Sequence, residues 1–285
     1  MKKSLENRLS SDSKKNVESE AHLKVKILDS LDEESLECLI AGESLAIIVK
    51  NYYNTTDAIR LYENIKKSNR IEKYTHELVE DNKVVQKYFG VDRIGNPFNS
   101  IYNENDNSSL VKEYYDQSKK SISLIRSYTA PAITPIDKLR LELDEIYVHG
   151  ANIASFQNRK MLAGICRISY SEMSHLSADQ PHFDALPEKF CFLDEQFAAN
   201  IYLEVPKEGG ELELWDVPAM SPLSEAPDDW RSELPPSILI KPELGDLIIF
   251  NCRRPHAIER FDAGLRITMQ TFIGYRKNKG LLIWN

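Results

Sequence analysis

The sequence predicts an α+β fold, in which a jelly roll of antiparallel strands forms the second half and a largely helical first half packs on it. Apolar residues recur with helical spacing before residue 150, whereas short β-rich runs follow Met161. Glycine-containing turns separate several of those runs. Short antiparallel strands joined by tight turns are typical of jelly rolls.

The first elements follow a polar tail. Residues 1–22 carry both signs of charge and few apolar side chains, so we expect a flexible tail there. The segment Asp32–Ala41, which ends at Gly42, predicts a short helix, and Leu45–Lys50 predicts a strand. We expect folded structure to begin at about residue 23.

The rest of the first half is predicted to consist of helices and one loop. Apolar residues at helical spacing from Ala58 to Ile65 follow the capping candidates Asn54 and Thr55 and predict a second helix. The glycine- and asparagine-containing segment Gly90–Ser100 predicts a loop, and Ser109–Tyr128 predicts a longer helix. Thr134, followed by a proline and then Asp137, predicts another helix start.

The second half reads as strands and turns. Two turns, at Lys207–Gly210 and Glu243–Asp246, connect strand-like segments, and the proline-rich stretch Val217–Pro236 predicts a long loop that could act as a lid. The predicted strands are Leu162–Tyr170, Phe197–Val205, Glu211–Trp215, Ile238–Ile240, Asp246–Asn251 and Arg266–Tyr275. We therefore expect a single domain over 23–285, with mainly helical support over 23–150 and the jelly-roll catalytic core over 151–285.

Composition narrows the class of partner. The 285 residues carry a formal net charge of -8, which disfavours a nucleic-acid partner, so any anionic ligand must be bound by particular arginines. The longest apolar run near the start, Leu45–Val49, is too short for a membrane span, and no secretory leader is visible. The four cysteines form no CxxC pair, so we expect a reducing cytoplasm. A small molecule is the expected partner, and the sequence leaves the oligomeric state open.

A possible metal site lies at the start of the strand-rich half. His182 and Asp184 are two residues apart, so on extended backbone both side chains lie on one face. His256, after the strand that ends at Asn251, supplies a third ligand. Two histidines and one carboxylate form the facial triad of non-haem Fe(II) oxygenases, which leaves three coordination positions open.

An arginine follows the distal histidine at a fixed interval. Arg266 lies ten residues after His256, and Thr268 shares its strand face. A guanidinium beside a hydroxyl suits the distal carboxylate of a 2-oxo acid such as 2-oxoglutarate. The order of these elements along the chain, rather than any one of them, indicates a reaction centre.

The segment from Met161 to Asn285 resembles the 2-oxoglutarate-dependent Fe(II) oxygenases. Within that superfamily it is similar to the branch of indole-alkaloid aliphatic halogenases and of hydroxylases that act on free or N-substituted amino acids. The runs that carry the resemblance are IYLEVPKEGGELELWDV, GDLIIFNCRRPHAIER and RITMQTFIGYRKNKGLLIWN. The resemblance implies a double-stranded β-helix of the cupin type.

The resemblance also implies cofactors and roles. It assigns iron to His182, Asp184 and His256, and the C5 carboxylate of 2-oxoglutarate to Arg266, with Thr268 in a helper position. Fe(II), 2-oxoglutarate and O2 would be the cofactors, with ascorbate as the reductant in vitro. The expected reaction takes hydrogen from an unactivated C–H of a small carboxylate-bearing metabolite, an amino acid or a natural-product precursor, with release of succinate and CO2.

Substrate contacts are harder to predict. Arg167, a charge within a strand of apolar residues, could bind a substrate carboxylate or the cosubstrate, or form a salt bridge at a strand edge. The adjacent Arg253 and Arg254 could face an anionic substrate, and Phe183 and Trp215 could line the pocket or lie in the core. His149 and His175 have no ligand partner at useful spacing, so we expect both outside the iron site.

Other functions stay open at this point. Hydroxylation, desaturation and oxidative cyclisation would all use the same centre. A non-catalytic metal-binding jelly roll is the alternative from a different class. A halogenase is disfavoured because halogenases of this branch carry glycine where this chain keeps Asp184, and a demethylase of macromolecules is disfavoured by the lack of a basic recognition surface.

Overall fold

The computed structural model describes residues 24–80, 83–105, 108–176, 180–224, 226–227 and 229–285. The tail predicted over residues 1–22 lies outside the described residues. The helices are α1 (Glu33–Ile40), α2 (Thr55–Lys66), α3 (Ser109–Thr129), α4 (Pro135–Ile146) and the short α5 (Trp230–Glu233). The strands are β1 (Val25–Leu28), β2 (Ala46–Val49), β3 (Glu72–Glu80), β4 (Lys83–Ile94), β5 (Ala151–Ile153), β6 (Ser155–Phe156), β7 (Arg159–Lys160), β8 (Ile165–Tyr170), β9 (Glu195–Glu204), β10 (Leu212–Leu214), β11 (Ile238–Ile240), β12 (Leu247–Asn251), β13 (His256–Ile258), β14 (Leu265–Tyr275) and β15 (Leu281–Trp284).

The fold is the predicted α+β jelly roll. A large, mostly antiparallel sheet runs in the order β1-β2-β12-β9-β14-β8-β4-β3, and β15 and β5 extend it from β14. A smaller sheet of β11, β10 and β13 faces it. Both halves of the chain contribute to the large sheet, since β2 pairs with β12 and β4 pairs with β8.

The first four helices begin where the sequence predicts, because each starts at a side chain that caps its first turn. Asp32 accepts a hydrogen bond from Ser35 N, and Asn54 accepts from Thr56 N. Thr134 accepts from Asp137 N, one residue before a proline at the first helical position. These helices cover the outer face of the large sheet through buried residues such as Leu61.

The inner face of the large sheet meets the small sheet. Alternate residues of the central strands, among them Ala198, Tyr202 and Phe250, pack there against Leu212 and Leu214 of β10. Because side chains alternate between faces, every other residue of β14 also points inward, beginning with Arg266 and Thr268. This inner face is the floor of the candidate site.

A β-hairpin replaces much of the loop predicted at Gly90–Ser100. Strands β3 and β4 pair over most of their length, and Gly90–Ile94 belongs to β4. Gly90 has a φ of +77°, and a Cβ there would lie 2.5 Å from the Met173 carbonyl oxygen. The glycine that suggested a loop is therefore required for close packing inside a strand. The loop prediction was wrong for 90–94, and a short 3-10 helix follows at Phe98–Ile101.

The long loop over Val217–Pro236 contains α5 near its end. Its described contacts include Met220, whose N–H donates to the Arg253 carbonyl oxygen at 2.7 Å. None of the helices among the described residues combines the length and apolarity needed to cross a bilayer.

Candidate metal centre and cosubstrate pocket

The backbone brings together two histidines that lie far apart in sequence. His182 and His256 form an antiparallel bridge in which each N–H donates to the other's carbonyl oxygen, at 3.0 and 2.9 Å. Two residues further on, Asp184 N donates to the Cys252 carbonyl oxygen at 2.8 Å, so the backbone of Asp184 is also fixed. The His182–Asp184 segment thus adds to the small sheet beside β13.

The three predicted ligands converge. One ligand atom from each of His182, Asp184 and His256 lies within 4.8 Å of the other two, and no other group of this kind occurs in the described parts of the chain. His256 Nε2 lies 3.6 Å from Asp184 Oδ2. Separations of this size suit side chains that surround a common ion.

Backbone carbonyls orient both imidazoles. Nδ1 of His182 lies 3.1 Å from the Gln180 carbonyl oxygen, and Nδ1 of His256 lies 3.0 Å from that of Arg254. A carbonyl only accepts hydrogen bonds, so Nδ1 carries the proton in each neutral ring. The lone pair of each Nε2 is then available to a metal.

Burial and neighbouring charges keep His182 and Asp184 in the protonation states that can bind a metal. Removal of water by the surrounding protein, together with the neighbouring His256, lowers the pKa of His182 to about 4, although the residue as a whole is exposed. Burial alone would raise the pKa of Asp184, but His256, His182 and Arg167 outweigh it and hold the pKa well below its usual range. At neutral pH the cluster offers a neutral imidazole at His182 and a carboxylate at Asp184.

Arg266 lies on the inner face of the large sheet and has an N–H group without a hydrogen-bond partner. Its side chain is buried and donates to the Tyr202 hydroxyl at 3.1 Å, while its Nε is buried without a hydrogen-bond partner. Burial lowers its pKa, yet an arginine starts high enough to stay charged at neutral pH. Thr268, on the same strand face, is also buried. A buried cation with an unused donor is costly unless a ligand completes it.

Arg167 is a second inward-facing arginine. It sits directly opposite Thr268 across β8 and β14, and donates to Gln270 Oε1 at 2.8 Å. Its guanidinium stacks on the ring of Tyr74, 5.2 Å from the ring centroid. It is close enough to Asp184 and His182 to affect the pKa of each. The structure therefore brings Arg167 to the predicted centre.

Three residues of the first half reach the site without having been predicted. Tyr74, from β3, accepts a hydrogen bond from Asn99 Nδ2 at 2.8 Å. Tyr102 packs against Phe98, with ring centroids 5.8 Å apart, and is held on another side by Phe190. Both tyrosines lie near enough to Asp184 for its charge to contribute to their raised pKa values, behind burial as the main cause. No sequence motif marks these residues, because only the hairpin and the 3-10 turn bring them to the sheet.

The adjacent arginines contact other groups. Arg253 donates to the backbone carbonyl oxygens of Met220 at 3.0 Å and Asp194 at 3.1 Å. Arg254 forms an ion pair with Asp216, at 2.9 Å. These contacts hold loops beside the metal cluster.

The remaining predicted residues occupy the surroundings of the cluster. Phe183 lies between two of the ligands and packs edge-on against Trp230, at 6.1 Å between ring centroids. Trp215 is buried beneath the guanidinium of Arg231. His149 packs against Tyr147, and His175 lies in a 3-10 helix, so both fall outside the cluster, as expected.

The donor set fits the cofactors that the sequence suggested. Two imidazoles and one carboxylate are a donor set that would suit Fe(II). The unused Nε of Arg266 suits a carboxylate of 2-oxoglutarate. The residues present therefore match both the metal and the cosubstrate.

Comparison with known proteins gives a family and a fold. Residues 168–274 match the family described as the 2OG-Fe(II) oxygenase superfamily. No curated protein matches the chain at a significant level.

Two solved structures share the fold. An N-substituted L-amino acid dioxygenase from Burkholderia ambifaria AMMD, in complex with alpha-KG, is similar at 15% identity with a TM-score of 0.59. A second structure, of an N-substituted L-amino acid dioxygenase from the same organism, is similar at 17% identity with a TM-score of 0.58. Each alignment covers 89% of this chain and 91% of the other. The matched segment contains all three clustered side chains as well as Arg266, so the part of the chain that holds the candidate site is the part similar to the 2OG-Fe(II) oxygenase superfamily.

Proposed function

We propose that this oxygenase oxidises an unactivated C–H bond of a small metabolite that bears a carboxylate, an amino acid or a natural-product precursor. In this proposal His182, Asp184 and His256 hold Fe(II), and Arg266 with Thr268 binds the C5 carboxylate of 2-oxoglutarate. The bound iron and cosubstrate supply the oxidising power, with conversion of 2-oxoglutarate and O2 to succinate and CO2.

The observation that carries the substrate class is the charge of the inner face. Arg167 and Arg266 form no ion pair with any described carboxylate, and their recorded partners are a neutral amide and a phenol. Asp184 interacts with Arg167 through its charge but serves as a metal ligand in this proposal, so two cations without salt bridges favour two anionic groups from bound molecules. One is the distal carboxylate of 2-oxoglutarate at Arg266, and we assign the other, a substrate carboxylate, to Arg167.

Two aromatic side chains of the first half stand next to the metal cluster. Tyr74 and Tyr102 stand near Asp184, and Asn99 fixes the Tyr74 hydroxyl. Held in place by packing, these rings can position a carbon of the substrate toward the metal and exclude water from it. We therefore assign substrate orientation to the hairpin and the 3-10 turn.

The similar structures agree with this class of substrate. The Burkholderia enzyme is described as acting on N-substituted L-amino acids. We extend only the broad class, a small carboxylate-bearing molecule, to this chain. Hydroxylation is the simplest outcome, and desaturation or oxidative cyclisation would follow from a different placement of the same substrate.

We also propose that 23–285 forms one domain and that the enzyme works in the cytoplasm, where reducing conditions maintain Fe(II). Pairing of β2 with β12 and of β4 with β8 supports the single domain, because strands of the first half complete the sheet of the second. The chain's negative net charge again argues against nucleic acid as the substrate.

The test is release of succinate. Purified protein with ferrous iron, ascorbate, O2 and 2-oxoglutarate should form succinate above a metal-free background, and His182→Ala or His256→Ala should abolish it. His175→Ala is the matched control, since that histidine lies outside the cluster. Turnover that persists in both ligand variants would refute the site, and folded protein with no turnover under any condition would favour the alternative, a non-catalytic metal-binding jelly roll.

The substrate is then identified by mass spectrometry against amino acids and N-substituted amino acids. We expect a product 16 mass units heavier for hydroxylation or 2 lighter for desaturation or ring closure, from the masses of oxygen and of two hydrogens. A chlorinated product in the presence of chloride would overturn our interpretation of Asp184. A substrate without any acidic group would overturn the role given to Arg167.

A further inference from the structure

The outer face of the small sheet carries a buried charge. On β10, Leu212 and Leu214 point inward, so Glu213 between them points outward. Glu213 is nevertheless only 4% exposed, because the long loop folds back over it. A buried carboxylate is stable only when hydrogen-bond donors surround it. Glu213 therefore needs donors from the residues that cover it.

The loop supplies a forked pair of hydrogen bonds, and the residue directly after it supplies a hydroxyl. Arg231 of α5 donates through two nitrogens to the two oxygens of Glu213, the Nη1–Oε1 distance being 3.1 Å. Ser237 donates to Oε1 at 2.6 Å. The Arg231 guanidinium also covers the ring of Trp215, 5.2 Å from its centroid. This bidentate arrangement fixes the direction of the side chain as well as its charge.

Trp230, the residue before Arg231, contacts the segment His182–Asp184. Trp230 is 8% exposed and meets Phe183 edge-to-face, with an interplanar angle of 88°. Because Phe183 lies between His182 and Asp184 on extended backbone, its side chain points away from the ligand atoms. Trp230 therefore packs against the back of the segment that carries two of the three ligands.

A short path joins the two contacts. Glu213 is the cross-strand partner of Ala257, and Ala257 follows the third ligand, His256, on β13. Ala257 is small and fully buried. Trp230 and Arg231, adjacent in α5, thus contact the two strand segments on either side of β13, one at Phe183 and the other at Glu213.

We infer that the Trp230–Arg231 turn is a clamp on the outside of the metal-binding strands, which positions His182 and Asp184 relative to His256. Trp230, Arg231 and Glu213 are positioning residues, since none touches the ligand atoms. The inference rests on the proposed metal site. It also gives the end of the long loop a role at the back of the centre rather than as a lid over its opening.

The clamp can be tested with metal alone. Metal-free protein is titrated with Co(II), and binding is followed by the visible absorption of the cobalt site. Trp230→Ala and Arg231→Lys remove the edge contact and the forked hydrogen bonds, whereas Trp230→Phe keeps an aromatic edge. Lys241→Gln is the matched control, because it breaks an ion pair with Glu211 on the same sheet without touching α5.

We expect Trp230→Ala and Arg231→Lys to weaken Co(II) binding about two- to tenfold and to alter the absorption band, since an aromatic pair is worth roughly that factor. Trp230→Phe should retain most of the affinity and Lys241→Gln all of it. Thermal unfolding of the metal-free variants separates folding from metal binding. If Trp230→Ala does not fold, Arg231→Lys decides the matter.

Wild-type affinity and an unchanged band in the folded clamp variants would overturn the clamp alone. If instead the wild type fails to bind Co(II), or His182→Ala binds it equally well, the metal site itself is wrong. The two failures are therefore distinguishable.

Discussion

Arg167 and Arg266 lie on adjacent strands of the inner face, and neither forms a salt bridge with a described carboxylate, although Arg167 interacts through its charge with the proposed metal ligand Asp184. Burial is the main cause of the lowered pKa of Arg266, and the positive charge of Arg167 contributes to it. Two like charges on adjacent strands repel each other. Binding of two anionic groups relieves this repulsion, so the pair predicts that cosubstrate and substrate bind cooperatively.

Arg167→Gln should therefore separate substrate use from cosubstrate use. The variant keeps a polar side chain near Gln270 but loses the charge, so we expect substrate-stimulated succinate release to fall about tenfold or more, the usual effect of losing a charged hydrogen bond. Substrate-independent release should change far less. The measurement is succinate formed with and without the identified substrate.

If Arg167→Gln lowered substrate-stimulated and substrate-independent succinate release equally, Arg167 would bind 2-oxoglutarate rather than the substrate. Arg254→Gln is the comparison, because that guanidinium pairs with Asp216 outside the inner face.

Arg266→Lys should raise the KM for 2-oxoglutarate. Lysine keeps the positive charge but cannot present two parallel N–H groups to a carboxylate. We expect an increase of about tenfold or more in KM, with a smaller change in kcat, measured by succinate release against 2-oxoglutarate concentration. The exposed Arg260 provides the control substitution to Lys. An unchanged KM would show that the distal carboxylate binds elsewhere.

How far the sequence could predict this molecule depends on the range of the interactions involved. Helix starts at Asp32, Asn54 and Thr134 were correct because a cap is decided within four residues. The strand that contains Arg266 was predictable from alternation, and the convergence of the metal cluster from the order of short motifs along the chain.

The contributions of the first half were beyond such reasoning. Gly90 in isolation favours a loop, and only the close approach of the Met173 backbone explains a glycine within β4. Tyr102 has no motif of its own, and it reaches the neighbourhood of Asp184 because a 3-10 turn packs its ring between Phe98 and Phe190. Such contacts depend on tertiary structure, which local periodicity does not encode.

Tyr102→Phe should affect the use of substrate and leave folding intact. The ring contacts with Phe98 and Phe190 remain in this variant, and no described residue shares a hydrogen bond with the hydroxyl, so we expect the free energy of unfolding to change by less than about 0.5 kcal/mol. Substrate oxidation per succinate formed should fall, because the wall near Asp184 loses a donor that can orient the substrate. The ratio of product to succinate measures this coupling, and an unchanged ratio would contradict the orienting role.

Asp137→Asn tests the packing of the helical support, independently of catalysis. The Asp137 carboxylate accepts hydrogen bonds from Arg126 on α3 and from Arg140 on its own helix, and it also accepts from the hydroxyl of the capping residue Thr134. Loss of this network should lower the free energy of unfolding by about 1–2 kcal/mol at pH 7, since the arginines are partly exposed and each bond is worth little alone. Urea denaturation measures the difference.

The same substitution has a defined pH dependence. Burial alone would raise the pKa of Asp137, but Arg126, Thr134 and Arg140 outweigh burial and lower it. A pKa that is lower in the folded state means that the carboxylate stabilises the fold fully above the unfolded-state value of about 3.9, and that this contribution is lost as the pH falls through the folded-state value. The difference between wild type and Asp137→Asn should therefore be constant from pH 6 to 8 and shrink below about pH 4. A difference as large at pH 3 as at pH 7 would show that the carboxylate contributes through packing rather than through its charge.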